Sequence, residues 1–282
     1  MTTRLTEFRR GPYTFDVIDA GPPDGEPVVL LHGFPQRATA WKLVAPLLHD
    51  SGFRTLAPDQ RGYSPGARPV RRRDHVRSEL VADVLALLDS AGLDRAHLVG
   101  HDWGAIVAWS LAAHHPDRVT TLTALSVPHT GAFLQAMPHG QFLRSWYMLA
   151  FQIPVLPERF LIRMIRTRPD FGRRMGLPEP FASRLVADIV EYGALPGALA
   201  WYRALFLPDA AAASGKVRVP TTYVWGARDV ALGRAGARLC AGWVDAPYEY
   251  IELTDADHWL PESRPEDVAA AVLARIGSIA DR

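Results

Sequence analysis

The hydrophobic positions change period along the chain, and each change marks an element. Residues 3–19 alternate polar with apolar or aromatic positions around Gly11-Pro12, which predicts an antiparallel hairpin. After a Gly/Pro turn cluster at 20–27, Val28 to Leu31 is an unbroken apolar run, the pattern of a strand buried on both faces. Trp41, Val44, Leu47 and Leu48 then recur at helical spacing, and Ser51-Gly52 ends that helix. Thr55 to Pro58 reads as another buried strand. Val76, Leu80, Val81, Val84, Leu87 and Leu88 keep one helical face apolar as far as Gly92, a suitable C-terminal stop. A strand over 96–101 runs into a helix over 105–115, which ends near Pro116, and 119–127 reads as a further strand. Strand and helix in alternation at this spacing predict right-handed βαβ units and a parallel sheet.

Near Gly131 the texture changes. Residues 131–215 contain no convincing strand; they are rich in Leu, Met, Arg and aromatic residues and are cut repeatedly by proline, which predicts several short helices. The earlier rhythm then resumes with a strand at 221–225, a helix at 232–241, a strand at 248–253 and an amphipathic helix at 267–276. The chain therefore divides into a core, 1–130 with 216–282, and an inserted helical block, 131–215. An insertion after the C-terminal end of a strand lies over the ligand-binding edge of a parallel sheet, so the block reads as a cap or lid.

The joint between strand 96–101 and its helix carries Gly100-His101-Asp102-Trp103-Gly104. Small residues two before and two after a central side chain permit a tight strand-to-helix turn that projects that side chain above the sheet edge. Serine is the usual occupant; here it is Asp102. Taken alone, Asp102 reads equally well as the N-cap of the helix. Asp229 and His258 also fall at strand ends, in the order nucleophile, acid, histidine. Singly, Asp229 could be a turn residue and His258 one of ten histidines. Jointly, they suit an aspartate nucleophile that forms an alkyl ester, a histidine that activates water against it, and an acid that orients the imidazole. Asp255 and Asp257 compete with Asp229 for the acid role. Hydrolysis of the ester develops an oxyanion, for which the backbone N–H groups of Trp103 and Phe34 are the expected donors.

These stretches together resemble the epoxide hydrolase branch of the α/β-hydrolase superfamily. His32-Gly33-Phe34-Pro35 resembles the family's HGxP loop, whose x–Pro bond is typically cis, and Asp59-Gln60-Arg61-Gly62-Tyr63 its DxRGYG stretch. Gly100 to Gly104 is similar to its nucleophile turn, Ser126 to His129 to the segment entering its lid, Gly226 to Asp229 to its acid loop, and His258 to Glu262 to its histidine loop. The resemblance covers essentially the whole chain. It implies an α/β-hydrolase fold: a mostly parallel central sheet flanked by helices, with an inserted all-helical cap. It also implies conversion of an epoxide and water to a vicinal diol, with two cap tyrosines as proton donors. Ser145 to Gln152 resembles the first tyrosine segment and points to Tyr147; Trp201-Tyr202-Arg203-Ala204 resembles the second and points to Tyr202. Three positions depart from the pattern: Ala200 where Asn is common, Ser64-Pro65 after Tyr63, and Asp257 where Gly is common. Ala200 leaves the positioning of Tyr202 open. Two other readings stand beside this one: carbon–halogen hydrolysis by the same triad, and a non-catalytic binding protein that retains the pocket.

Composition narrows the setting. The 282 residues are 48% hydrophobic and 22% charged, values of a globular chain with a large core. A net charge of +1 supplies no extended basic surface, so the arginine clusters at 68–77 and 163–174 read as solvated faces and nucleic acid is not expected as a partner. Cys240 alone excludes an internal disulfide and suits a reducing compartment. No apolar run reaches the length of a membrane span and residues 1–10 lack an apolar signal core, so a cytoplasmic protein without a membrane partner is expected. Lys42 and Lys216 are the only lysines, a bias that fits a GC-rich bacterial genome. With no HExxH, paired CxxC or phosphate loop, neither a metal nor a cofactor is expected. The cap aromatics Phe142, Trp146, Phe151, Phe160 and Trp201 point to a small apolar or aromatic substrate, with Phe34, Trp103 and Phe151 lining its pocket. Which epoxide, with what selectivity, and whether as monomer or homodimer stays open.

Overall fold

The computed structural model describes residues 4–209 and 215–280. Among these, eight strands form one sheet: β1 (Glu7–Arg10), β2 (Tyr13–Ala20), β3 (Pro27–Leu31), β4 (Arg54–Pro58), β5 (Ala96–His101), β6 (Val119–Leu125), β7 (Thr221–Gly226) and β8 (Tyr248–Leu253). Their spatial order is β1-β2-β4-β3-β5-β6-β7-β8. The opening hairpin and the β2–β4 pairing are antiparallel; every other pairing is parallel. In β4, β5 and β7 every residue is buried, as strands covered by helices on both faces are.

The helices follow in chain order as α1 (Val44–Asp50), α2 (Arg77–Ser90) and α3 (Trp103–His114). Between β6 and β7 come α4 (Thr130–Ala136), α5 (Gln141–Arg144), α6 (Trp146–Ala150), α7 (Leu156–Thr167), α8 (Phe171–Arg174), α9 (Phe181–Leu185) and α10 (Leu195–Ala204). The chain closes with α11 (Arg234–Leu239), α12 (Leu260–Ser263) and α13 (Pro265–Ala280). The period of two in the strands sorts the core into two layers. Val29, Leu31 and Leu98 pack with α2 and α3, whereas Val28, Leu30 and Val99 pack with α1 and α13.

Several boundaries differ from the sequence expectation; the terminal helix expected over 267–276, for one, runs as Pro265–Ala280. The strand expected over 119–127 stops at Leu125, because Ser126 takes a positive φ of 65° and turns the chain. The helix expected over 232–241 is α11, followed by a 3-10 turn at Cys240–Trp243. Of the expected core and cap segments, residues 1–3, 210–214 and 281–282 lie outside the described residues.

The all-helical insertion rests on the core through main chain. A Cβ on Gly197 in α10 would collide with the backbone of Gly62, in the loop after β4. Four residues on, Trp201 donates its indole N–H to the Arg61 carbonyl at 2.7 Å. The Arg61 guanidinium is itself clamped by both oxygens of Asp83 in α2, at 2.7 and 2.6 Å. At the other end of α10, Arg203 pairs with Glu158 of α7 and donates to the Phe151 and Ile153 carbonyls. Gly197→Ala should push α10 away from the core. A stability loss of about 1–3 kcal/mol, typical of overpacking, is expected in urea unfolding; wild-type stability would contradict the contact.

Candidate active site

The β5–α3 joint is tight because Gly104 permits it: a Cβ there would strike the Leu31 carbonyl. Asp102 at the turn has φ 52° and ψ −118°, a conformation that costs about 1–3 kcal/mol for a non-glycine residue. Its side chain makes no capping bond to α3. Instead Oδ1 accepts the Phe34 N–H at 2.7 Å, and Oδ2 lies 3.5 Å from His258 Nε2. The carboxylate is thus committed to the loop after β3 and to the histidine, which removes the N-cap explanation of this residue. The Phe34–Pro35 bond is cis.

Asp229 follows β7 and is buried. Its Oδ1 accepts the N–H groups of Ala231 and Leu232 at 2.7 and 2.9 Å, and its Oδ2 receives His258 Nδ1 at 2.8 Å. The competing acids are engaged elsewhere. Asp255 pairs with Arg264 at the surface, and Asp257 Oδ1 accepts from Trp259 N–H and the Ser263 hydroxyl. His258 therefore stands between Asp102 and Asp229, one on each ring nitrogen.

Burial alone would push the Asp102 carboxyl up, but hydrogen bonding to His258, its charge and the Phe34 N–H bring it below the ordinary value. Burial alone would push the His258 imidazole down; the charges of Asp229 and Asp102 outweigh that and raise it well above the usual range. The neighbouring His32 and His101 are fully buried without that compensation, and both fall to about 4. They act as hydrogen-bonding struts: His32 accepts the Gln60 N–H, and His101 donates to the His258 carbonyl at 2.8 Å.

Tyr147 on α6 and Tyr202 on α10 reach the same cavity as Asp102, an apolar hollow with about 540 Å³ of empty space including its mouth. Their rings meet edge to face at 6.0 Å. Burial, then the carboxylate charges nearby, raises the pKa of both phenols, so each holds its proton. Tyr202 is wedged against Trp103 at 5.0 Å, Phe34 at 5.3 Å and Phe151 at 5.0 Å, a seat that does not need a polar residue at Ala200. Trp103 lines the cavity as expected. Phe34 and Phe151, expected to line it too, are not among its wall residues and lie instead against the Tyr202 ring. Among the described residues no group of three or more His, Cys, Asp or Glu could hold a metal ion, and no helix is long and apolar enough to cross a membrane.

Several supports were given no role by the motif reading, although Ser126 and Glu262 lie within its segments. Ser126 donates its hydroxyl to the His258 carbonyl at 2.7 Å, and Arg144 of α5 donates to the Asp229 carbonyl at 3.1 Å. Gln36 and Glu262 form a buried contact beside His101. Their only signal in the chain is adjacency: each lies within four residues of a motif residue.

Residues 26–265 match the family described by the α/β-hydrolase fold. Epoxide hydrolase A of Mycobacterium tuberculosis is 34% identical over 91% of this chain and 92% of its own length. The Bacillus subtilis AB hydrolase superfamily protein YfhM is 33% identical over 92% of this chain and 93% of its own. The crystal structure of epoxide hydrolase A from Mycobacterium thermoresistibile superposes with a TM-score of 0.76 at 29% identity, covering 94% of this chain and 95% of that one.

The two charge shifts both stabilise the fold, but with opposite pH dependence. A folded pKa raised for His258 means a contribution fully present below the unfolded value of about 6.5 and lost as pH climbs through the folded one. A lowered pKa for Asp102 means a contribution present above about 3.8 and lost as pH falls through its folded value. His258→Gln removes the first. Urea unfolding across a pH series should therefore show the wild type losing more stability than His258→Gln between neutral and alkaline pH; parallel curves would refute the assignment.

Proposed function

Because this chain belongs to the α/β-hydrolase family, within its epoxide hydrolase branch, we propose that it adds water to an epoxide and releases a vicinal diol. The observation that carries this reading is the placement of Tyr147, Tyr202 and Asp102 on one cavity. Opening an epoxide leaves an alkoxide, which departs only if an acid protonates it. Halide departure needs no such acid, so paired phenols facing the nucleophile favour the strained ether. The wall residues Ile106, Val127, Phe133, Met148, Leu205 and Leu232 suit a small apolar or aromatic epoxide. In this reading the segment 131–215 is the cap that carries the two donors over the core.

The steps follow from the geometry. Asp102 Oδ2 attacks an epoxide carbon, the C–O bond breaks, and Tyr147 or Tyr202 gives the leaving oxygen its proton. The ester has no negative charge, so His258 loses part of what held its proton. That proton restores the phenol, and the neutral imidazole becomes a base. His258 then takes a proton from water, whose hydroxide attacks the ester carbon. Charge collects on Oδ1, where the Phe34 N–H already sits and the Trp103 N–H is the expected second donor. The tetrahedral adduct expels the diol with Oδ2, the imidazolium supplies the proton that the product oxygen needs, and the new carboxyl returns its own proton to His258. Protons and charges end where they began. Asp229 orients the ring throughout.

Incubation with styrene-oxide-type substrates should give diol with the wild type and none with Asp102→Ala. Water activation fails in His258→Gln, so mass spectrometry should find a covalent adduct on Asp102. Tyr147→Phe and Tyr202→Phe should each lower turnover by roughly 10²-fold. Halide release from haloalkanes, with both phenylalanine variants fully active, would overturn the reading in favour of carbon–halogen hydrolysis. Tight binding without any adduct would favour a non-catalytic protein.

A further inference from the structure

A buried chain of side chains runs from α12 to the back of His258. The Gln36 amide contacts Glu262 Oε1 at one end and His101 Nδ1, at 3.0 Å, at the other. His101 Nε2 then reaches the His258 carbonyl at 2.8 Å. Gln36 is two residues after Phe34, His101 directly precedes Asp102, and Glu262 is four after His258. The chain therefore ties the oxyanion loop, the nucleophile turn and the base loop to one another.

Donors must balance along it. The His258 carbonyl can only accept, so His101 Nε2 carries a proton. If Gln36 gives its N–H to Glu262 and offers its oxygen to His101, then Nδ1 needs a proton as well and the imidazole is charged. If His101 is neutral, Nδ1 accepts, Gln36 must turn its N–H₂ towards it, and the amide oxygen then faces Glu262, which must supply the proton. In either arrangement the chain holds one proton more than an ionised carboxylate and a neutral imidazole would. Full burial holds His101 down to about 4, so near neutral pH that proton belongs on the carboxyl.

We propose that Glu262 is a positioning residue for His258: protonated in the resting protein, it completes the donor chain through Gln36 and His101 that fixes the His258 carbonyl. The Glu262 carboxyl is fully enclosed and Oε2 has no hydrogen-bond partner, the setting of a neutral acid rather than a carboxylate. Burial raises it well above its ordinary value, against a lowering by its own backbone N–H, by His258 and by the Gln36 contact, and with a further rise from Asp257. Arg37 and Asp188 share the small cleft that Gln36 and Glu262 line at the core–cap junction, and Arg37 is already paired with Asp59 at 2.6 Å. Asp102 and Asp229 act on the chain from the His101 side. No carboxylate in this set replaces the proton that Glu262 contributes.

The proposal rests on the hydrolytic reading of the site for its kinetics but not for its proton, and two measurements separate them. Infrared difference spectra of wild type against Glu262→Gln at neutral pH should contain the carbonyl stretch of a buried protonated carboxylic acid; its absence would overturn the proposal whatever the substrate. With styrene oxide, Glu262→Gln can still donate to Gln36 and should keep near wild-type turnover, without the alkaline fall expected where Glu262 ionises. Glu262→Met cannot donate, and should lose roughly tenfold in turnover with ester accumulating on Asp102 and KM little changed. Wild-type turnover in Glu262→Met, or equal loss in both folded variants, would overturn the positioning role. A wild type that turns over no epoxide would instead sink the functional reading and leave the infrared result to decide on Glu262.

Discussion

Two buried carboxylates share a single imidazole, and most of the architecture around the sheet edge serves that arrangement. Asp102 and Asp229 flank His258 through opposite ring nitrogens. Removing one partner of a buried ion pair typically costs about 3–5 kcal/mol, because the remaining charge stays desolvated. Such a triad survives only if main-chain donors absorb the other oxygens. Asp229 Oδ1 finds two amides at the start of its own turn, and Asp102 Oδ1 finds the Phe34 N–H from across the sheet. The strained turn at Asp102 and the positive φ of Ser126 both belong to this requirement, since each brings a polar group to a place that extended chain could not reach.

The same charges set the roles in time. An imidazole between two anions keeps its proton, and is therefore no base until one anion is consumed. In the proposed reaction, esterification of Asp102 consumes it, and electrostatics would order the steps: nucleophile first, base second. The phenols behave conversely. Burial and the nearby carboxylates make Tyr147 and Tyr202 reluctant to ionise, so they hold their protons until an alkoxide more basic than themselves appears.

Much of this was legible in the chain, for reasons of period and punctuation. Buried parallel strands write themselves as apolar runs, and a side chain just past such a run must stand at the sheet edge. Asp102, Asp229 and His258 were readable on that ground. Whether the Asp102 side chain caps α3 was not readable from the turn alone, because the turn permits a cap; the missing cap bond and the Phe34 contact exclude it. Strand and helix types were also readable, but not the end of β6, where a serine adopts a conformation its sequence does not announce. Phe34 and Phe151 were expected on the cavity wall but lie against the Tyr202 ring, since aromatic content says nothing about which ring covers which. Gln36 and Glu262 meet across a separation of 226 residues, and no local pattern encodes a contact of that span.

The backbone contact of Gly62 with Gly197 gives the cap an asymmetry. α10, nearly all buried and abutting the core with no side chain between, behaves as the fixed jaw of a vice. α6 has no fully buried residue and meets the core through the partly buried Tyr147 and Met148, without a backbone contact like that of α10, so it makes the looser jaw. The span between the jaws is then set from the Tyr147 side. Diversification of the molecules this fold can grip has one natural direction: sequence change around α5 to α7 resizes the gap, while the anvil carrying Tyr202 stays where two glycines put it.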